Sequence, residues 1–186
     1  MEAFFVTSNP NKAREAAEIL GVELKSVALD LHEPQGLDVA EVAAAKAIAA
    51  RKALNDPDHP VLVEDSGLVI EAWNGLPGAL TKWFLQSVGN EGLLRMLSAE
   101  ENRSARAVCA VAVAAADGSV HTFVGEVGGS IAPELRGSEG FGWDPIFVPE
   151  GYMETYAELG ALKQRDSHRA RALKAARAGL EAPPIG

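Results

Sequence analysis

Apolar runs of strand length alternate with segments of helical periodicity in the first part of the chain. The run "EAFFVTS" over residues 2–8 predicts a buried strand, and "NPN" ends it before the helical pattern "KAREAAEIL". The run "VELKSVALDL" predicts a second strand. After the loop "HEPQGLD", an Ala-rich helix is expected over residues 39–54, with Asp38 as its N-cap. Helices and strands that alternate in this way are typical of an α/β fold.

The remaining patterns add antiparallel strands. "PVLVEDSGLVIEAW" predicts a strand to Val63, an interruption at "EDSG" and a further extended run, and "LTKWFLQSVGNEGLLRML" predicts one or two helices. Two long extended runs around Asp117 and Gly118 give the clearest hairpin signal in the chain. A loop, "GSEGFGWDPIF", enters a short strand, and "SHRARALKAARAGL" predicts a terminal helix capped by Ser167, with "EAPPIG" as a frayed tail. We therefore expect one domain over residues 1–186, with a mixed-sheet α/β or α+β fold.

Composition narrows the class of protein. The formal net charge of −9 argues against wrapping a nucleic acid, which needs a basic face, although residues 163–177 hold six Lys or Arg against one Asp. That local excess is either a solvated helix face or a patch for a small polyanion. The single Cys109 lies in an apolar run, so it is expected to be a buried small hydrophobe. No apolar run approaches the roughly 20 residues of a membrane span, so a cytoplasmic protein without membrane contact is expected.

Two polar stretches follow predicted strands, where sites of α/β proteins usually lie. "TSNPNK" at residues 7–12 offers hydroxyl groups, an amide and a lysine at a helix start, which suits either a phosphate or a plain capping turn. "VEDSGL" places Glu64 and Asp65 side by side, so only one of them can easily face a given site. Carboxylates without a Cys or His cluster suit Mg²⁺ or Mn²⁺, with Glu33 as a second ligand, whereas the alternative is an Asx-type turn or, for Glu33, a solvated loop.

Other candidates lie later in the chain. Lys82 precedes a Trp-Phe pair that is either core or a stacking platform, and His168 with Arg169 begins the terminal helix, where the histidine is either a surface cap residue or a base. In "GFGWDPIF", the two glycines permit close backbone approach, and the Phe or Trp ring could stack on a planar ligand. No Ser-His-Asp order or nucleophile elbow is present, so covalent catalysis is disfavoured. Together these residues supply carboxylates for a metal, cations for a polyphosphate and an aromatic group for a base.

Five motifs resemble those of the inosine triphosphate pyrophosphatases, and they occur in the family's order. They are "TSNPNK", "VEDSGL", "GLPGALTKWF", "FGWDPIF" and "KQRDSHR", which together extend from residue 7 to residue 169. The stretch after "GLPGA" lacks the "YSARY"-type continuation of bacterial members and instead resembles archaeal and eukaryotic ones. The resemblance implies two α/β lobes around a long twisted mixed sheet, flanking helices and an active-site cleft between the lobes. It also implies a homodimer that uses Mg²⁺ to hydrolyse ITP, dITP or XTP to the monophosphate and pyrophosphate.

The resemblance also implies roles for individual residues. Asp65 binds the metal with Glu33 and orients or deprotonates water, and Ser66 lies beside the metal. Phe141 stacks on the purine, Trp143 packs into the lobe, and Asp144 either accepts from the base or braces the loop and Arg169. The residues expected to contact substrate are Thr7, Ser8, Asn9, Lys12, Lys46, Ser66, Lys82, Phe141, Gly142, Trp143, Asp144, Lys163, His168 and Arg169. The alternatives are a related pyrophosphatase for modified pyrimidine or other nucleotides, or a nucleotide-binding module without turnover.

Overall fold

A mixed β-sheet forms the centre of the computed structural model, which describes residues 2–32, 34–56 and 58–181. The strands are β1 (Glu2–Val6), β2 (Glu23–Val27), β3 (Val61–Ile70), β4 (Pro77–Gly78), β5 (Ser104–Ala114), β6 (Val120–Ile131) and β7 (Phe147–Pro149). The seven-stranded sheet has the order β2-β1-β3-β5-β6-β7, and β4 pairs with β3 off this path. β1 is parallel to β2 and β3, whereas the other pairs are antiparallel. The predicted mixed-sheet α/β fold is therefore confirmed.

Helices connect and flank these strands. They are α1 (Pro10–Leu20), α2 (Val39–Leu54), α3 (Thr81–Met96), α4 (Tyr156–Leu159), α5 (Lys163–Asp166) and α6 (His168–Glu181). The predicted caps are confirmed, because Asp38 accepts a hydrogen bond from the Ala40 amide and Ser167 accepts one from the Ala170 amide. α3 is broken at Gly89, so the pattern that predicted one or two helices corresponds to two segments. Over the described residues, no helix has the length and apolar character needed to cross a bilayer.

The predicted interruption at "EDSG" is wrong. β3 runs unbroken from Val61 to Ile70, because every residue in it pairs with a residue of β5. This long antiparallel ladder holds the Asp-Ser-Gly stretch extended and overrides its local preference for a turn. The first two strands are shorter than predicted, since β2 has only the five residues of β1 as its partner. The hairpin of β5 and β6 is confirmed, with Gly118 in the left-handed region at its tip.

The elements that pack against β3 differ between the two ends of the strand. At one end, Leu62 packs with α1 and α6 on one face of the sheet, while Val61 and Val63 pack with α2 on the other. At the far end, Leu68 and Ile70 pack with α3 and with the segment that leads into β7. On the face towards α1 and α6, Glu64 and Ser66 lie between these two packing environments, whereas on the α2 face Val69 packs with the same cluster as Val61 and Val63.

Cys109 lies in this core as predicted. Its side chain is fully buried, and burial raises the pKa of its thiol well above the ordinary value. The thiolate is therefore disfavoured, and this cysteine acts as a small hydrophobe.

Close packing of α6 on the sheet depends on Gly125 in β6. A Cβ at this position would overlap the His168 carbonyl oxygen and the Ala172 amide nitrogen. We expect Gly125→Ala to lower the free energy of unfolding by about 1–3 kcal/mol through overpacking. The melting temperature should then fall by roughly 2–4 °C per kcal/mol in a protein of this size. Thermal denaturation followed by circular dichroism measures the change.

Gly128 in the same strand provides a matched control. A Cβ there would meet only the end of the flexible Glu150 side chain, at 3.3 Å. We expect Gly128→Ala to change the free energy of unfolding by less than about 0.5 kcal/mol. Equal melting temperatures for the two variants would show that the contact between α6 and β6 is not tight.

Candidate active site

Two adjacent carboxylates on β3 form the centre of the site. Glu64 faces α1 and α6, where its Oε1 accepts from Lys12 Nζ at 3.0 Å and its Oε2 accepts from Arg169 Nε at 2.7 Å. Asp65 faces α2, where its Oδ1 accepts from Lys46 Nζ at 2.9 Å. The alternation of side chains along a strand gives the two carboxylates partners on different helices. The Glu64 side chain is only 4% exposed, so its two cationic partners offset the cost of burying its charge.

Arg169 joins three elements at this point. Its Nη1 pairs with the Glu15 carboxylate on α1, and its Nη2 donates to the Lys12 carbonyl oxygen at 2.9 Å. Together with the bond to Glu64, each of its three nitrogens therefore donates to a protein acceptor. The start of α6 is fixed against α1 and β3 as a result.

A cavity of about 600 Å³, which we call the cationic cavity, is lined by both Glu64 and Asp65, so the prediction that only one of them could easily face a given site is wrong. Its lining includes the predicted residues Thr7, Ser8, Lys12, Lys46, Asp65, Ser66 and Lys82, together with Phe141 and Trp143. Lys82 lies at the start of α3, with its Nζ 5.0 Å from the centre of the Trp83 ring. Three lysines, hydroxyl groups and the first turn of a helix therefore surround one space, which suits a polyanion.

A second cavity, of about 40 Å³, adjoins the first, and we call it the aromatic cavity. The two cavities share the lining residues Lys12, Glu64, Ser66, Phe141 and Trp143. The aromatic cavity adds the predicted residues Asp144, Lys163, His168 and Arg169, as well as Glu15 and Ser167. Charged side chains therefore line both parts of the combined site, and the rings of Phe141 and Trp143 lie where the two cavities adjoin.

The segment Gly140–Trp143, here called the base loop, is fixed by Asp144. The Asp144 carboxylate is buried, accepts from the Phe141 amide at 2.9 Å and accepts from Lys163 Nζ at 2.6 Å. Gly140 has φ 81°, and a Cβ there would overlap this carboxylate. Asp144 thus braces the loop, and it does so through Lys163 rather than through Arg169.

The two aromatic residues of the base loop have different environments. Phe141 is 59% exposed, with Lys12 Nζ 5.6 Å and Lys163 Nζ 4.9 Å from its ring centre. Trp143 is buried among core residues near α3, as predicted for a residue that packs into the lobe. Phe141 is therefore the ring of this loop with a free face for a planar ligand.

His168 is buried in the aromatic cavity, so its interpretation as a surface cap residue is wrong. Its ring lies 5.8 Å from that of Trp143 and 5.9 Å from that of Tyr156, and it stacks on the tyrosine at an angle of 17°. Burial, followed by the charges of Lys163 and Arg169, lowers the pKa of His168 from 6.5 to about 3. The imidazole is therefore neutral at physiological pH. Among the described residues its Nδ1 has no hydrogen-bond partner.

Comparison with known proteins identifies the family. The sequence profile of the Ham1 family matches residues 3–178. The chain belongs to the Ham1 family. It is 45% identical to a dITP/XTP pyrophosphatase of Methanopyrus kandleri over 94% of this chain and 93% of the relative. It is 48% identical to an inosine triphosphate pyrophosphatase of Yarrowia lipolytica over 94% of this chain and 93% of the relative. The solved structure of the Staphylococcus aureus Ham1 protein superposes with a TM-score of 0.86 at 30% identity, covering 97% of this chain and 98% of that one.

Some of the residues predicted from the resemblance to this family lie outside the two cavities. Asn9 at the start of α1 and Gly142 are not among the described residues that line either cavity, and Glu33 lies outside the described residues. Glu15, Glu64 and Ser167 line the aromatic cavity, and Tyr156 stacks on His168, although none of the four was a predicted site residue. Glu15 could have been found, because it lies one helical turn after Lys12. Tyr156 gave no local signal, since the fold alone brings it to His168.

The buried neutral state of His168 makes stability depend on pH. Its pKa is about 3 in the folded protein and about 6.5 when unfolded, so the unfolded chain binds the extra proton as the pH falls below 6.5. This contribution to stability is present above pH 6.5 and is lost progressively towards pH 3. At pH 4.5 the loss should amount to about 2–3 kcal/mol. We expect His168→Phe, which keeps a ring in the stack, to remove this component from urea denaturation curves measured between pH 7 and 4.5.

The exposed His121 on β6 serves as the control. The variant His121→Gln should keep the pH dependence of the unsubstituted protein. If His168→Phe also kept it, His168 would not be buried in its neutral form.

Proposed function

We propose that this chain hydrolyses ITP, dITP and XTP to the nucleoside monophosphate and pyrophosphate. Such an activity removes deaminated purines from the pool of nucleic acid precursors. The observation that carries the proposal is the junction of the cationic cavity and the aromatic cavity at Lys12, Ser66 and Phe141. A nucleoside triphosphate joins a chain of phosphates to a flat base through a sugar, so it needs cationic groups and an aromatic ring in adjoining spaces, and the two cavities supply both. The pyrophosphatases among its relatives are named for these nucleotides.

The cationic cavity suits the triphosphate. Lys12 and Lys46 are held there by Glu64 and Asp65, and Lys82 lies at its side. A triphosphate carries close to four negative charges, which must be offset before water can attack phosphorus. Positioned ammonium groups stabilise the charge on the transferring group and hold it in line with the nucleophile. The hydroxyl groups of Thr7 and Ser8, beside the first turn of α1, add hydrogen bonds to phosphate oxygens.

The donor groups in this cavity fit Mg²⁺, with Mn²⁺ as an alternative. Among the described lining residues these donors are carboxylate and hydroxyl oxygens, without cysteine or histidine, and the lysine ammonium groups are not metal ligands. The described residues contain no group of three or more acidic, Cys or His side chains that could enclose a cation, so phosphate oxygens and water would complete its shell. Asp65 would hold the ion, with Glu33 as the second ligand expected from the family resemblance. A bound Mg²⁺ would neutralise phosphate charge and orient the substrate.

Asp65 also lies where a carboxylate can act on the attacking water. Its Oδ1 is fixed by Lys46, and its side chain lines the cationic cavity beside Ser66. We assign Asp65 to metal binding and to orienting the water, whose proton a carboxylate can accept. Attack at the α-phosphorus then breaks the bond to the bridging oxygen and releases pyrophosphate.

Selectivity for the base arises in the aromatic cavity. Phe141 offers an exposed ring for stacking, and the neutral His168 presents one hydrogen-bond donor and one acceptor. A pocket that donates to the 6-oxo group disfavours adenine, whose amino group would leave buried donors unpaired at roughly 1–3 kcal/mol each. Arg169 and the amides of the base loop are the candidate donors.

We also propose that the protein acts on free nucleotides in the cytoplasm, as a homodimer. The support is the family resemblance for the dimer and the net charge of −9 against a nucleic acid partner.

Substrate selectivity tests the proposal. We expect pyrophosphate release from ITP, dITP and XTP in the presence of Mg²⁺, and loss of that release on chelation. ATP should react at least about 10-fold more slowly than ITP, because its amino group cannot pair with the donors in the pocket. A coupled pyrophosphate assay with these nucleotides, GTP and dTTP measures the rates.

The same assay separates the alternatives. Comparable rates on ATP and ITP would contradict the proposed selectivity, and preference for a pyrimidine nucleotide would favour a related pyrophosphatase. Binding of ITP without any turnover would indicate a nucleotide-binding module.

Asp65→Asn tests the role of the carboxylate. Turnover of ITP should fall by about 100-fold or more, because metal binding and proton acceptance are both weakened. The thermal transition should stay cooperative. The exposed Asp58, changed to Asn, provides a control that should keep the normal rate. A near-normal kcat for Asp65→Asn would remove Asp65 from the mechanism.

A further inference from the structure

We infer that Asn90 is a positioning residue that holds the base loop ready to receive the base. The inference rests on the proposed function, since it assigns the base end of the substrate to this loop. Asn90 lies in α3, and its Nδ2 donates to the Gly142 carbonyl oxygen at 2.8 Å. This bond joins a helix that begins in the cationic cavity to the loop that carries Phe141.

The base loop needs an external support. Gly140 and Gly142 have φ values of 81° and 63°, a region in which glycine is conformationally permissive and loses much freedom on ordering. Asp144, the residue directly after the base loop, anchors the Phe141 amide. Asn90, on α3, adds a second anchor at Gly142, the residue directly after Phe141.

The break in α3 places Asn90 at this point. Gly89 has φ 66° and ψ −178°, a conformation that is essentially restricted to glycine. In the part of the chain that the structure describes, a Cβ at Gly89 would meet nothing within 4 Å, so packing does not explain the glycine. The break changes the direction of α3 at the point where the Asn90 side-chain amide reaches the base loop. One turn earlier, Leu85 lies beneath Gly142, and its Cδ1 would be 3.8 Å from a Cβ there.

A second pair of polar groups lies at the same contact. Asn90 Oδ1 and Trp143 Nε1 are both buried, and neither has a hydrogen-bond partner among the described residues. One is an acceptor and the other a donor, on residues already joined through Gly142.

The consequence is a separation between the two ends of the substrate. A loop held in place before binding loses less conformational entropy when the base stacks on it. Removal of the Asn90 amide should therefore weaken contacts with the base and leave contacts with the phosphates unchanged. We expect Asn90→Ala to raise KM for ITP by about 3- to 10-fold, the value of one hydrogen bond, with kcat within about twofold.

Product inhibition tests this separation at equilibrium. Inosine monophosphate probes the base end, and pyrophosphate probes the phosphate end. In Asn90→Ala, the inhibition constant for inosine monophosphate should rise about 3- to 10-fold, while that for pyrophosphate stays within about twofold. The neighbouring Glu91 is exposed, and Glu91→Ala should change neither constant.

A double-mutant cycle shows whether Asn90 acts through Phe141. If it does, the effect of Asn90→Ala on inosine monophosphate inhibition should shrink to less than about twofold in the Phe141→Ala background, because the ring it positions is absent. A full effect in that background would overturn the inference. An equal rise in the inhibition constants for inosine monophosphate and pyrophosphate would also overturn it, since that result indicates general structural damage.

Failure of the inference is distinguishable from failure of the proposed function. If the unsubstituted protein neither hydrolyses ITP nor binds inosine monophosphate, the proposed function fails. If the unsubstituted protein does both and Asn90→Ala binds inosine monophosphate equally well, the inference about Asn90 alone is wrong.

Discussion

The unbroken pairing of β3 with β5 is the constraint on which the site depends. It holds Glu64 and Asp65 in extended conformation and so directs their carboxylates to opposite faces of the sheet. Buried or half-buried carboxylates require cationic partners, and the helices on each face supply them. Glu64 forms ion pairs with Lys12 and with Arg169 at the start of α6, whereas Asp65 forms one with Lys46 from α2.

The parts of the fold that were predictable from sequence are those that local chemistry determines. Helix α2 has the predicted bounds, because Asp38 caps it and an Ala-rich repeat continues to residue 54. The hairpin was readable from Asp117 and Gly118 because a tight turn needs specific residues. The predicted interruption at "EDSG" was wrong because turn propensity is a local property of the sequence. The strand pairing that overrides it comes from β5, about 40 residues later.

The residues of the site likewise divide into those that local sequence predicts and those that only the fold brings together. Motifs located the two stretches that line the cationic cavity, since polar residues directly after apolar strands are visible in a sequence. The burial of His168 was not predictable, because Trp143 and Tyr156 reach it only through the folding of the last third of the chain. The bracing of Asp144 by Lys163 likewise depends on side chains that are 19 residues apart. Membership of the Ham1 family and the adjoining cavities support the proposed nucleotide substrate.

The position of bond cleavage tests the central claim most directly. Hydrolysis of ITP in ¹⁸O-labelled water, followed by ³¹P NMR and mass spectrometry, identifies both the products and the phosphorus atom that water attacks. The account predicts equal amounts of inosine monophosphate and pyrophosphate, with the label in the monophosphate. Release of orthophosphate with inosine diphosphate, or label in the pyrophosphate, would contradict attack at the α-phosphorus.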